Sequence, residues 1–301
     1  MVSAILILYP WTNLIEFQIK PSTLVQLSMI LNRCPEDGQR HLARKVMFSA
    51  SNLGEQNATF ELMAAAIRQG DFGENYSAPL RRLGIMAKKD GIPQAMAMLG
   101  QVLLAQRMEK EALEWFSKAT EGPTELLNFE AAGEALVHKG RLLQKRGETE
   151  AAVEAFRRAA SELDDPSAYF YLSTFQEHGS SEQKVYLLKA ASSGIVEAWH
   201  NLGVIELPQS EKHLKPTGGK GVPKYRIARE WFELAAADGF GMSMLNLALI
   251  CRSEERLDEG MKWLEKAALI PEAREQALGV KAEWGRDGPS FREWMSKRIY
   301  F

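Results

Sequence analysis

A small residue, a large one three positions on, and Ala four beyond that recur along this chain. No other feature of the sequence restricts its fold as much. The fullest copy lies in 225–247, YRIAREWFELAAADGFGMSMLNL, where Ala228, Trp231 and Ala235 share one helix face. With one mismatch tolerated there are seven copies, marked by Val46, Leu83, Trp115, Ala155, Tyr186, Trp231 and Trp263. Four residues after each stand Ala50, Ala87, Ala119, Ala159, Ala190, Ala235 and Ala267. The small position fails at Leu80 and Gln183. The large one fails at Ala155, where Phe156 follows directly.

A second pattern precedes the next copy: a small residue, Leu four later, then another small residue. It reads Ala95, Leu99, Gly100; Ala168, Leu172, Ser173; Ala198, Leu202, Gly203; and Ser243, Leu247, Ala248. Ala58, Leu62, Met63 and Ala135, Lys139, Gly140 are weaker copies. From marker to following Leu the step is 16 residues at 46–62, 83–99, 186–202 and 231–247; it is 17 at 155–172 and 24 at 115–139. Small residues let helix backbones approach, and large ones fill the hollows between them. A single helical hairpin cannot bury its apolar face, so the modules must stack. The expected fold is an all-α solenoid of about seven hairpins with a C-terminal capping helix.

Tight Ala-Ala-x-x-Gly exits with variable inner loops resemble the Sel-one-like repeat family, a relative of the TPR. The matching stretches are AWHNLG at 198–203, GKGV at 219–222, AREWFELAAADG at 228–239, WLEKAA at 263–268 and YLLKAASSG at 186–194. The resemblance runs over roughly 40–280 and departs from the family at Lys139, at markers Val46, Leu83 and Ala155, and at the 24-residue step. It implies a right-handed superhelical solenoid and work as an adaptor or assembly factor rather than catalysis. Fungal mitochondrial relatives that assist insertion of respiratory-complex subunits suggest a membrane-peripheral mitochondrial variant of that role.

The chain divides into an N-terminal arm at 1–21, a repeat solenoid at 22–270 and capping helices at 271–301. Ile15, Phe17 and Ile19 alternate with polar residues, as a short strand or extended arm does. Residues 207–224, with Lys212, His213, Lys215, Lys220 and Lys224, read as the longest loop. Its Gly218-Gly219-Lys220-Gly221 lacks the spacing of a phosphate loop. In 290–300, Phe291, Trp294, Met295 and Ile299 share a face that closes the stack, or contacts a membrane through 289–301.

A net charge of −2 argues against non-specific nucleic-acid binding. An RNA-binding helical-repeat protein is the rival reading; it would need matched polar pairs at regular spacing, which markers stepping by 37, 32, 40, 31, 45 and 32 do not display. Two cysteines, Cys34 and Cys251, cannot supply the disulfide per hairpin of secreted family members, so a reducing compartment, cytoplasmic or mitochondrial, is expected. The apolar run 4–9 is too short to span a bilayer. Five scattered histidines have no metal-ligand spacing, and a Cys34–His41 dyad lacks an orienting acid. No catalytic residue, cofactor or metal site is expected. What remains is binding. Counting from each Leu places Arg68, Gln101, Arg141, Gln144, Lys145, Glu177, His178, His200 and Arg252 on the inward wall of first helices. Arg141, Gln144 and Lys145 together suit a carboxylate or an acidic peptide.

Overall fold

The structure is a computed structural model that describes residues 19–212 and 225–284. The expectations for 1–18, for the loop beyond 212 and for the 290–300 helix lie outside these residues. The chain falls into two compact units, Met1–Ala155 and Phe156–Phe301. All regular structure among the described residues is helical.

The first unit contains α1 (Pro21–Asn32), α2 (Asp37–Asn52), α3 (Gln56–Gln69), α4 (Ser77–Lys88), α5 (Pro93–Ala105), α6 (Glu109–Ala119) and α7 (Ala132–Lys145). The boundary falls inside α8 (Thr149–Leu163). The second unit continues with α9 (Pro166–Ser173), α10 (Ser181–Ser192), α11 (Val196–Lys212), α12 (Arg226–Ala237), α13 (Gly241–Ser253), α14 (Leu257–Ala267) and α15 (Arg274–Ala282). Successive helices pack against one another as hairpins: α1 with α2, α5 with α6, α9 with α10, α11 with α12 and α13 with α14.

Local chemistry sets the helix ends. Pro93 and Pro166 open α5 and α9, where a missing N–H costs nothing. Asp165 and Ser180 accept hydrogen bonds from the backbone N–H of Ala168 and Gln183, satisfying donors that the first turn leaves orphaned. The exits after α10 and α12 use Gly194 (φ 83°) and Gly239 (φ 86°), each four residues past the marker alanine. At the 17-residue step Asp164 takes the positive φ instead, at 52°, and its carboxylate accepts from the Tyr169 hydroxyl at 2.7 Å. The 24-residue step holds a 3-10 turn, Thr124–Leu127, pinned by a fully buried Leu127.

All seven repeat alanines are buried, at most 3% exposed. The large positions differ from expectation. Trp115, Tyr186, Trp231 and Trp263 are only half-buried, whereas Phe116, Leu187, Phe232 and Leu264, one residue later, are completely buried. The hollow they fill lies over the small residue after the recurring Leu. A Cβ on Gly100 would sit 2.8 Å from the Phe116 ring, and one on Gly203 would sit 2.6 Å from Phe232. Where that residue is Ser173 or Ala248, the buried partner position holds the shorter Leu187 or Leu264.

Two further expectations change. Residues 207–212 belong to α11, which runs through Pro208 because Leu207 is buried in a cluster with Tyr225 and Phe232. Glu177 and His178 do not lie on a first helix: α9 stops at Ser173, and both residues lie exposed in the turn beyond. The second unit is sealed on one side by α15, whose following residue Trp284 lies so close to Gly260 that a Cβ there would stand 2.5 Å away. Among the described residues no helix is long and apolar enough to cross a membrane.

Candidate functional site

A stripe of organised polar groups lies in the first unit, where α5 packs directly on α7. On α7, Glu134, His138, Arg141 and Lys145 follow at steps of four, three and four, which stacks them along one stripe. His138 Nε2 lies 3.3 Å from a Glu134 carboxylate oxygen. The imidazole stacks on Phe116, centroids 5.3 Å apart and planes 20° apart. Glu134 titrates below its usual value: the His138 hydrogen bond is the main cause, partial burial opposes it, and Gln101 from α5 adds a second hydrogen bond. Gln101 is half-buried, while Arg141 and Gln144 are exposed.

Lys145, in the last turn of α7, reaches back to the first turn of α6. Its Nζ donates to both oxygens of Glu109, at 2.6 and 2.8 Å. Each charge sits at the helix end whose dipole favours it. The pair is exposed, 67% and 42%, so it is a labile contact rather than a buried one.

The other expected residues do not gather there. Arg68 is exposed in the last turn of α3. His178 is exposed in the α9–α10 turn. Arg252 lies over the Trp284 ring, 5.4 Å from its centroid. His200 is placed in packing: its Nδ1 is 2.8 Å from the Ser243 hydroxyl, and its ring lies 5.5 Å from Phe232 and 4.8 Å from Phe240. Burial lowers its pKa to about 4, so at neutral pH it carries no charge to offer a ligand. Counting from Leu202 put it on the inward wall, but a histidine two residues before that Leu turns toward the next hairpin.

Glu134, His138 and Glu109 were absent from the sequence-based set. The Glu134–His138 pair had a readable signal, an acid and a histidine four apart on one helix. The Glu109–Lys145 clasp had none, because it joins two hairpins across 36 residues. Neither cysteine is set up for nucleophilic work. Burial pushes the Cys251 thiol up to about 11, and Cys34 turns its S–H to the Ile30 carbonyl rather than to His41. No group of three His, Cys, Asp or Glu gathers among the described residues in a way that could hold a metal ion.

The tetratricopeptide repeat family matches at residues 133–162, which span α7 and most of α8. No curated protein matches the sequence. Among solved structures, a protective antigen of uropathogenic Escherichia coli described as displaying an SLR fold is 18% identical with a TM-score of 0.62 over 95% of this chain. The chain spans 65% of that antigen's length. A Sel1 repeat protein from Oxalobacter formigenes is 19% identical, TM-score 0.52, over 72% of this chain and 88% of its own. The APC/C hetero-tetramer Cut9–Hcn1 gives 13% identity and 0.53, over 92% of this chain and 52% of the matched one. The fold is therefore that of TPR-like, Sel1-type helical repeats.

Proposed function

We propose that the chain is a non-catalytic scaffold, an adaptor or assembly factor, that holds a protein segment along the first-helix face of α5 and α7. The observation that carries this reading is the stripe itself. Gln101, Glu134, His138, Arg141, Gln144 and Lys145 present donors and acceptors on adjacent helices, with His138 already held by Glu134. Ready-oriented polar groups lose little rotamer entropy when a peptide binds. The Cut9–Hcn1 assembly is an example of a helical-repeat chain of this fold type within a protein complex. Arg68, exposed in the last turn of α3, is a further candidate for contact on the first helices of the same unit.

The segment held is acidic. Glu109 already models the interaction, since a carboxylate lies against Lys145 in two-oxygen contact. A partner's Asp or Glu would replace it there, with Arg141 one turn away. Affinity capture with the tagged chain, read by mass spectrometry, tests the reading. The double charge reversal Arg141→Glu and Lys145→Glu should abolish capture and lower the melting temperature only slightly, because both side chains are exposed and the Lys145–Glu109 pair it breaks is worth about 0.2–1 kcal/mol. Capture that survives the reversal would end the proposal for this face. Glu109→Gln should act in the opposite sense. An exposed pair is worth about 0.2–1 kcal/mol, so releasing Lys145 should tighten binding by up to about fivefold.

A further inference from the structure

α1 contains no charged residue, and apolar ones run around most of it. Leu24 and Val25 are buried, and Leu27 and Leu31 partly so, in a cluster with Val46 and Ala50 of α2. On the outer side Met29 is 49% exposed and Ile30 63%. The rest of that side, Ser22, Thr23 and Gln26, is uncharged. A terminal repeat that meets water is ordinarily polar outside, because an apolar end lets another chain stack on it. α1 lacks that protection, and among the described residues α2 is the helix packed closely on it.

The chain itself carries a match of the right chemistry and reach. Of residues 1–18, 12 are apolar and only Glu16 is charged, so the segment lowers its free energy by leaving water. Lys20, just before α1, has extended backbone (φ −64°, ψ 136°), and Ile19 beside it is 39% exposed. α1 rises about 1.5 Å per residue, so Met29 and Ile30 stand roughly 13 Å along the axis from Pro21. An extended chain advances about 3.3 Å per residue, so about four or five residues counted back from Lys20 reach the same level. That stretch holds Ile15 and Phe17, which alternate with Glu16 and Gln18 and share a side with Ile19. Tethering also favours this occupant: a short linker holds the segment at an effective concentration on the order of millimolar, which a second copy of the chain does not match.

We propose that the outer side of α1 is the docking surface for the chain's own residues 13–18, which turn back along the helix and lay Ile15 and Phe17 on Met29 and Ile30. The arm then covers the apolar end of the first unit. Two half-exposed side chains make a small patch, so the contact opens and closes readily. Releasing the arm bares a surface on which a second copy can stack.

A nitroxide on the full chain tests the docking through a native cysteine. Cys34 is half-buried and its thiol reaches the Ile30 carbonyl at 3.6 Å, so a label there stands beside the patch. Cys251 is buried with its thiol pushed up to about 11, so a thiol reagent at neutral pH marks Cys34. The amide signals of residues 14–17 should be lost in the labelled chain and return when the nitroxide is reduced. Ile15→Asp with Phe17→Asp should restore them without reduction. In the unlabelled chain the same double substitution should speed hydrogen exchange of the α1 amides by about tenfold or more and leave those of α7 unchanged. Signals of 14–17 that survive beside the nitroxide, or α1 exchange that ignores the double substitution, would overturn the proposal. So would broadening that appears when an isotope-labelled chain without nitroxide is mixed with a spin-labelled one, since a second copy would then be the occupant.

Discussion

Gly203→Ala is expected to destabilise the second unit although it adds one methyl group and improves helix propensity. The added Cβ would stand 2.6 to 2.9 Å from three atoms of the Phe232 ring, a side chain with no exposed surface and no room to move. Forcing a methyl into such a contact costs about 1–3 kcal/mol. Replacing an interior helical glycine with alanine returns about 1 kcal/mol, so the net loss should lie within about 0–2 kcal/mol. Phe232→Ala should cost more, about 3–5 kcal/mol, through the cavity it opens. The diagnostic result is rescue. Phe232→Leu is destabilising alone but should recover stability in the Gly203→Ala background, because Ala248 with Leu264 already shows that pairing in the same fold. Urea unfolding and hydrogen exchange of the α11 and α12 amides would read the coupling. Gly84→Ala is the control. Gly84 is inside α4 with nothing within 4 Å of its added Cβ, so the substitution should stabilise by about 0.5–1 kcal/mol. Additive losses at 203 and 232 would show that the ring does not depend on the glycine beneath it.

The same pair explains what could be read in advance. The alanines and the small residue after each Leu are buried where the pattern placed them, since a helix seam needs small residues wherever two backbones meet. The buried ring was misplaced by one position. From Ala228, Trp231 is three residues on and Phe232 four, and both lie on the face that Ala235 shares. Spacing cannot choose between them, and the larger Trp invites the wrong choice. The hint was at Ala155, where the large marker is missing and Phe156 follows it. The hydrophobic size of the residue after Leu was a second hint, since Gly100 and Gly203 accompany phenylalanine while Ser173 and Ala248 accompany leucine. The site was legible in one part only. Gln101, Arg141, Gln144 and Lys145 do share the α5–α7 region, but the contact that occupies Lys145 joins hairpins whose approach no local pattern encodes. His200 was misjudged because a polar residue on a first helix looks like groove lining until a hydroxyl from the next hairpin is found beside it.

His200 also makes the stability of the second unit sensitive to acid. Its ring lies between Phe232 and Phe240, and its one polar contact among the described residues is the Ser243 hydroxyl, which can donate to or accept from a neutral imidazole. No carboxylate is among these neighbours, so the charged form gains nothing in return for lost hydration. Its folded pKa of about 4 lies below the ordinary histidine value near 6.5. Between those values the unfolded chain binds the proton and the folded chain does not. Stability from this group is therefore complete above about pH 6.5, falls as the pH drops toward 4, and changes little below. A shift of that size corresponds to roughly 3 kcal/mol across the window. Paired carboxylates such as Glu134 add their own loss at the acid end, so the comparison must be made against a variant. His200→Asn keeps a group able to hydrogen-bond Ser243 and removes the titration. It should be less stable than the parent at pH 7 and should lose less stability on going to pH 4.5, so that the two urea-unfolding curves converge as acid is added. Parallel losses in parent and variant would mean that the imidazole is hydrated or paired in the folded chain and that another group sets the acid limit.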